Sequence, residues 1–389
     1  MNPKVDQNMA QNMDQIAAAR ERHNLLPTTL SPNPGPFHIV ARLRRKVAPY
    51  FIFISAVLVL SAVAGIAIGS THIDWTVILR VIAARLLPEG WIDLSGVSEA
   101  EQVIVWLIRV PREIVAAVAG AALAVAGVQM QGLFRNPLAE PGVVGASSGA
   151  ALGAVIAFVT ALATRSALWL PLFAFIGALL ALFLVYSFAT RAGRTPTATL
   201  LLAGIALSAL IGAISSLLIS LSFVDWEVAG NIIFWMMGGL DSRTWIHVWI
   251  SAPFVAAGIL AALWFHRDLD LLLAGEETSA TLGVEVETAK RVILTTVALL
   301  TGSAVAVSGV IGFVGLIVPH MIRLLLGPSH RVLLPASALT GATFLIACDL
   351  IARTIHPPTE IRLGIITAVF GAPFFLYLLR RRRKEIGYL

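Results

Sequence analysis

Beyond residue 45, long runs of apolar and small residues alternate with short polar turns along the chain. The stretch from Arg109 to Ala150 shows the pattern: RVPREIVAAVAGAALAVAGVQMQGLFRNPLAEPGVVGASSGA. Two arginines bracket a proline, and about twenty uncharged residues follow, enough to cross the hydrocarbon core of a bilayer as a helix. The turn RNPLAEPG then breaks the helix and sends the chain back. Read along the whole chain, this pattern predicts ten spans, near residues 50–69, 113–133, 143–163, 167–189, 198–221, 245–265, 290–311, 312–326, 331–352 and 361–380. The eighth is short enough to be a broken helix, and residues 225–240 predict a short helix outside the main bundle. Only helices and closed barrels satisfy their backbone groups in lipid, so the fold class is an all-α polytopic membrane protein. Residues 1–45 are polar, rich in Gln, Asn and Pro, and lack the apolar core of a signal peptide. They predict a flexible cytoplasmic tail, with residues 46–389 as the transmembrane domain.

The pattern also repeats internally. Gly120 to Val128 reads GAALAVAGV and Gly302 to Val310 reads GSAVAVSGV, identical at six of nine positions, with Pro137 and Pro319 at the same distance beyond. The copies fall in spans two and seven. Five spans apart, they run in opposite directions, which predicts an inverted repeat of the kind built into many transporters.

Composition sharpens this picture. The chain is 58% hydrophobic and 13% charged, against about a quarter charged in soluble domains. A single cysteine, Cys348, excludes an internal disulfide and a cysteine-based metal cluster within one chain. The net charge of +6 sits mostly as arginines between spans, a sign of membrane topology rather than of nucleic-acid binding. With the N-terminus inside, the cytoplasmic segments hold Arg42, Arg44, Arg45, Lys46, Arg135, Arg191, Arg194, Arg267, Lys290, Arg291, Arg323, Arg331 and the run from Arg380 to Lys384. The outer segments hold fewer, and an even number of spans places both termini in the cytoplasm.

Each of the 22 acidic residues falls in a tail, a loop or a span edge, with Asp349 and Glu360 nearest the interior, and no histidine falls mid-span. Coupling to an ion gradient through a buried acid is therefore not expected. Nor is an intramembrane enzyme, which needs a nucleophile and base or a metal cluster within the spans. The chain has no GxxxxGK[ST] phosphate loop, so ATP hydrolysis would need a separate subunit.

Several motifs occur in a fixed order: the Arg109–Ala150 stretch, FWMMGG (Phe234 to Gly239), GEETSATLGV (Gly275 to Val284), GFVGLIVPHMIRLL (Gly312 to Leu325), HRVLLPASAL (His330 to Leu339), CDLIAR (Cys348 to Arg353) and GAPFFLYLL (Gly371 to Leu379). In this the chain resembles the bacterial permeases that import iron–siderophores, heme and cobalamin through ATP-binding cassette (ABC) transporters. The resemblance implies a type II ABC importer permease fold in the bacterial inner membrane. It implies two copies of the chain, two ATPase subunits and a periplasmic substrate-binding protein. No cofactor would be permanently bound, ATP and Mg residing on the ATPase.

The resemblance also assigns residues. Gly275, Glu276, Glu277, Thr278, Ser279, Ala280, Thr281, Leu282, Gly283 and Val284, within a cytoplasmic segment of about 268–289, match the coupling helices that sit in a cleft of the ATPase. Arg109, Arg112 and Arg353 match arginines that pair with glutamates of a binding protein in cobalamin-importing relatives, a task that suits a planar guanidinium. Asn136 and Leu138, in RNPLAEPG, and Thr197 and Ala198, in RTPTATLLLAG, match the two loops of a cytoplasmic gate. Here Pro196 and Ala198 replace hydroxyl residues of the cobalamin permease. The small residues Gly120, Ala124, Gly127, Gly204, Ser208, Gly212, Gly302, Gly309 and Gly312 suit helix packing or a wide pore. Met130, Met236 and Met237 read as packing, not as heme ligands. TPTATLLLAGIAL and RNPLAEPGVVGASSGAALGAV look most like hemin permeases, so heme is the expected cargo, ahead of a ferric siderophore and cobalamin. A passive channel or an ion-coupled carrier is the alternative of another class.

Overall fold

The computed structural model describes residues 36–69, 71–222 and 226–386. Residues 1–35, most of the expected tail, lie outside that set. Val47–Leu389 forms one compact unit.

Ten helices occupy the ten predicted spans. They are α1 (Pro36–Ala67), α3 (Glu99–Leu133), α4 (Ala146–Val159), α5 (Trp169–Ala189), α6 (Thr197–Ser222), α8 (Trp245–Trp264), α11 (Val286–Ser308), α12 (Val314–Leu326), α13 (His330–Thr354) and α14 (Leu363–Ile386). Seven are long and apolar enough to cross a membrane, while α4, α12 and the apolar part of α14 are shorter. The expected short helix is α7 (Trp226–Met236), and α9 (His266–Leu272) and α10 (Glu276–Thr281) lie between α8 and α11. Among the helices outside these expectations is α2 (Trp75–Leu86), in the α1–α3 connection, where Asp74 accepts from the Thr76 N–H.

The second span starts well before its expected edge at 113. Ser98 and Glu101 form a reciprocal capping box that begins α3 at Glu99. The helix then widens into a π turn over Ile104–Arg109, just before Pro111. Proline cannot donate to the ladder, and a local change of helix type absorbs the loss. As a result Glu113 lies inside a continuous 35-residue helix rather than at its edge.

α3 and α11, which carry the two repeat copies, are the most enclosed spans, each with 78% of its apolar window buried. Their surroundings exchange partners across the halves. Gly120 of α3 lies so close to α13 that a Cβ there would stand 2.2 Å from the Gly341 carbonyl oxygen. Gly302, its counterpart in α11, faces Phe175 and Ala178 of α5, the span equivalent to α13. α3 also packs on α12, and α11 on α4.

The helix ends show the inversion directly. α3 begins at an end of the bundle marked by Arg109 and Arg112, and its Gly132 meets His330 at the other end. α11 begins beside Lys290 and finishes with the Val307 carbonyl accepting from Arg243, near Arg112. The inverted repeat therefore arranges the core. One end of the bundle is thus an arginine end, at Arg109 and Arg112, and the other a lysine end, at Lys290.

Candidate functional site

At the arginine end, the three guanidiniums expected to face a binding protein are turned inward. Arg112 takes Asp349 bidentately (Nε–Oδ2 2.9 Å, Nη2–Oδ1 2.8 Å) and Glu360 with its remaining edge (2.8 Å to each oxygen). Arg353 donates to Glu113 (2.6 Å) and to the Gly65 carbonyl. Arg109 donates to the carbonyls of Ile66, Ala67 and Thr71, where α1 ends. Arg109, Arg112, Glu113 and Asp349 are all buried. These groups join α1, α3, α13 and the loop before α14. The reason is local: a charge set one turn inside a packed helix must find a partner within the protein. Each arginine expected to pair with glutamates of a binding protein is thus held by groups of its own chain, and Glu113, well inside α3, corrects the expectation of carboxylates confined to span edges. His320 likewise stands mid-helix in α12.

Between the ends lies an open apolar groove of about 710 Å³, lined by Met236, Met237, Val310, Gly312, Phe313 and the face of α14 from Gly364 to Pro373. Among the described residues no charged side chain lines it. Met236 and Met237, expected as packing, are half-exposed and form part of its wall. The backbone holds the wall together: the N–H groups of Leu363 and Gly364 donate to Gly238 and Met237, and that of Gly239 donates to Ser308. Phe313 adopts a left-handed conformation (φ 69°), uncommon for a side chain of this size. Its ring fits against Gly371, where a Cβ would stand 2.4 Å from it. Its N–H donates to Glu140 of the RNPLAEPG loop, whose carboxyl is pushed up by burial against that hydrogen bond. A Cβ at Gly212 or Gly312 would meet nothing within 4 Å among the described residues, so of the small residues these two leave open space beside them.

At the lysine end, the GEETSATLGV segment folds as α10, between Gly275 (φ 110°) and Gly283 (φ 89°). Ser279 is its buried anchor, donating to the carbonyls of Leu271 and Gly275 (2.8 and 2.6 Å). Glu276 turns inward to Lys290 (2.6 Å). Glu277, Thr278, Ala280, Thr281, Leu282 and Gly283 are exposed, with Leu282 at 59%. α9 supports this platform: Asp270 accepts from the His330 backbone N–H (2.8 Å) and Nδ1 (2.6 Å), capping α13 from a distance. Burial works against the charged form of Asp270, but these bonds outweigh it and hold its carboxyl below the usual carboxylate range.

The gate candidates fall in two separate places, a turn after α3 and the start of α6. Asn136 accepts from the Leu138 N–H (3.0 Å) in an Asx turn. Leu138 lines a small cavity with Leu316, Ile317, His320, Phe374 and Phe375. Thr197 and Ala198 open α6, just after the buried Thr195. Sequence reasoning missed Lys290, Thr195 and the groove. The apolar groove residues look in sequence like any other lipid-phase residues.

The FecCD transport family matches residues 57–381. The chain belongs to the FecCD transport family. It is 50% identical over 287 residues to the cobalamin import system permease protein BtuC of Halobacterium salinarum, covering 74% of this chain and 76% of that one. It is 44% identical over 285 residues to the hemin transport system permease protein HmuU of Yersinia pestis, covering 72% and 84%. Among solved structures it is similar to a metal-chelate-type ABC transporter in an inward-facing conformation, with a TM-score of 0.74 and 31% identity over 86% of this chain and 99% of that one. This FecCD-family chain is thus a multi-pass membrane protein and an ABC importer permease, and the type II fold expected from its motifs is the one it has.

Proposed function

We propose that the chain moves heme across the bacterial inner membrane by ATP-driven alternating access. Two copies form the path, two ATPase subunits lie below and a periplasmic binding protein docks above. Both termini are cytoplasmic, so the lysine end faces the ATPase. The observation that carries the reading is α10: its anchors Ser279 and Glu276 are turned inward while Leu282 and its polar neighbours stand free. That is what a rigid knob for a partner's cleft requires. The apolar groove supplies a wall without fixed charges, suited to a bulky chelate that must not be held in transit. On this reading the binding protein meets the exposed rim of the arginine end, including Arg80 and Arg85 of α2. The buried arginines keep that rim rigid.

Cobalamin is the second cargo reading. It is favoured by the 50% identity to the Halobacterium cobalamin permease, against 44% to the Yersinia hemin permease. The test is uptake into proteoliposomes holding the chain, its ATPase, the binding protein and ATP, with heme, cobalamin and a ferric siderophore offered in parallel. Heme uptake that needs both ATP and binding protein is the expected result. Uptake of another cargo alone replaces heme and leaves the importer. Uptake indifferent to ATP removes the importer reading in favour of a channel or carrier.

A further inference from the structure

Lys290 is 1% exposed, and lysine is almost never so enclosed unless paired. Its ammonium has three donors, and all three are used. One goes to Glu276 of α10 (2.6 Å), one to Glu287 of its own helix (3.1 Å) and one to the Thr195 carbonyl (2.7 Å). Glu287 closes the ring, accepting the Thr195 N–H on both oxygens (3.2 and 3.1 Å). The peptide groups on both sides of Thr195 are therefore clamped. Its hydroxyl pairs with Thr190 (2.9 Å), which in turn donates to the Tyr186 carbonyl (2.7 Å). Pro196 follows with its fixed φ, and α6 starts at Thr197.

The mechanical contrast is as specific as the bonds. α11, the base of the lysine, has 78% of its apolar window buried, whereas α6 has 17%. A push on α10 thus meets a post in α11 fixed by its own chain, whereas α6 has few contacts within the chain to resist a shift. We propose that Lys290 is a positioning residue for transport: the joint through which displacement of α10 reaches the Thr195 turn and shifts the first turn of α6. The inference rests on the reading of α10 as the ATPase-docking element. Contiguous chains of hydrogen bonds and salt bridges are one carrier of such coupling. The Glu276–Lys290–Thr195 relay is one.

The test uses the reconstituted transporter with its ATPase and binding protein. Environment-sensitive labels are placed at exposed Thr281 (T281C) or Thr199 (T199C), one at a time. In the otherwise unchanged protein, ATP shifts both signals. In Lys290→Met, the Thr281 label still responds, the Thr199 label does not, and cargo delivered per ATP hydrolysed falls about tenfold, a coupling of ordinary size. A merely structural lysine would lower ATPase and uptake together and leave that ratio unchanged. An unchanged ratio with a responsive Thr199 label overturns the joint. Should Lys290→Met fail to assemble, Glu276→Gln, which keeps an acceptor for the ammonium but removes the charge on α10, decides by the same two readouts. A Thr281 label silent to ATP in a transporting complex overturns the docking reading itself. A responsive Thr281 label with Thr199 still following in the variant overturns only the joint.

Discussion

Arg112 holds Asp349 through both arms of its guanidinium, at 2.9 and 2.8 Å, although 237 residues separate them in sequence. The pair ties the first repeat's central helix to a span of the second, and Asp349 is 1% exposed. A buried pair of this kind contributes little against an apolar replacement, but breaking it strands a charge. Asp349→Ala leaves Arg112 with Glu360 as its remaining partner and should lower stability by about 1–3 kcal/mol. The double variant Arg112→Met with Asp349→Leu should lose less than Asp349→Ala alone. Thermal unfolding in detergent checks both.

Close helix approach makes a second prediction. A Cβ at Gly127 would stand 1.9 Å from the Gly315 carbonyl oxygen, backbone that cannot yield cheaply. Gly127→Ala should destabilise by about 1–3 kcal/mol or more, as overpacking does. A Cβ at Gly212 would meet nothing within 4 Å among the described residues. Gly212→Ala should be neutral or stabilising by up to about 1 kcal/mol, the helix preference of alanine over glycine. Melting temperatures of the two variants, measured side by side, separate packing glycines from free ones.

The exposed face of α10 can be tested without touching its anchors. Leu282→Asp should leave the melting temperature unchanged and weaken ATPase co-purification about tenfold or more, as loss of an interface contact worth over ~1 kcal/mol does. Glu277→Lys should act in the same direction. Glu276→Lys should instead destabilise the permease itself, because Glu276 faces the buried Lys290.

Asp270 sets a pH dependence. Its folded-state carboxyl lies below its ordinary value of 3.8. A depressed carboxylate contributes stability that is complete above the unfolded value and is lost as pH falls through the folded one. The melting-temperature gap between the unchanged chain and Asp270→Asn should be present at pH 7. It should close progressively below 3.8.

Topology can be read by thiol labelling, because the single cysteine, Cys348, is buried. In right-side-out vesicles, a membrane-impermeant maleimide should modify Ser95→Cys and spare both the unchanged chain and Thr278→Cys. Labelling of Thr278→Cys alone would reverse the assigned orientation.

The hydrophobic pattern by itself determined the ten spans and the short helix before Met236, because a bilayer demands a long apolar helix wherever the chain crosses it. The glycine-rich copies at Gly120 and Gly302 also made the inverted repeat legible. Span edges were less so: the capping box at Ser98 carried α3 upstream and drew Glu113 into its interior. Tertiary structure alone decided where the charges go. Arg112, Asp349, Arg353 and Lys290 look in sequence like loop-edge charges, ready for a partner or for lipid headgroups. Arg112, Asp349 and Arg353 are paired across 237 to 240 residues of sequence and Lys290 reaches Thr195 across 95, and only packing makes those contacts. The groove belongs to the same class, since an apolar residue that lines a path and one that faces lipid obey the same local rule. What separates them is which helix stands opposite, as α14 does for Met237.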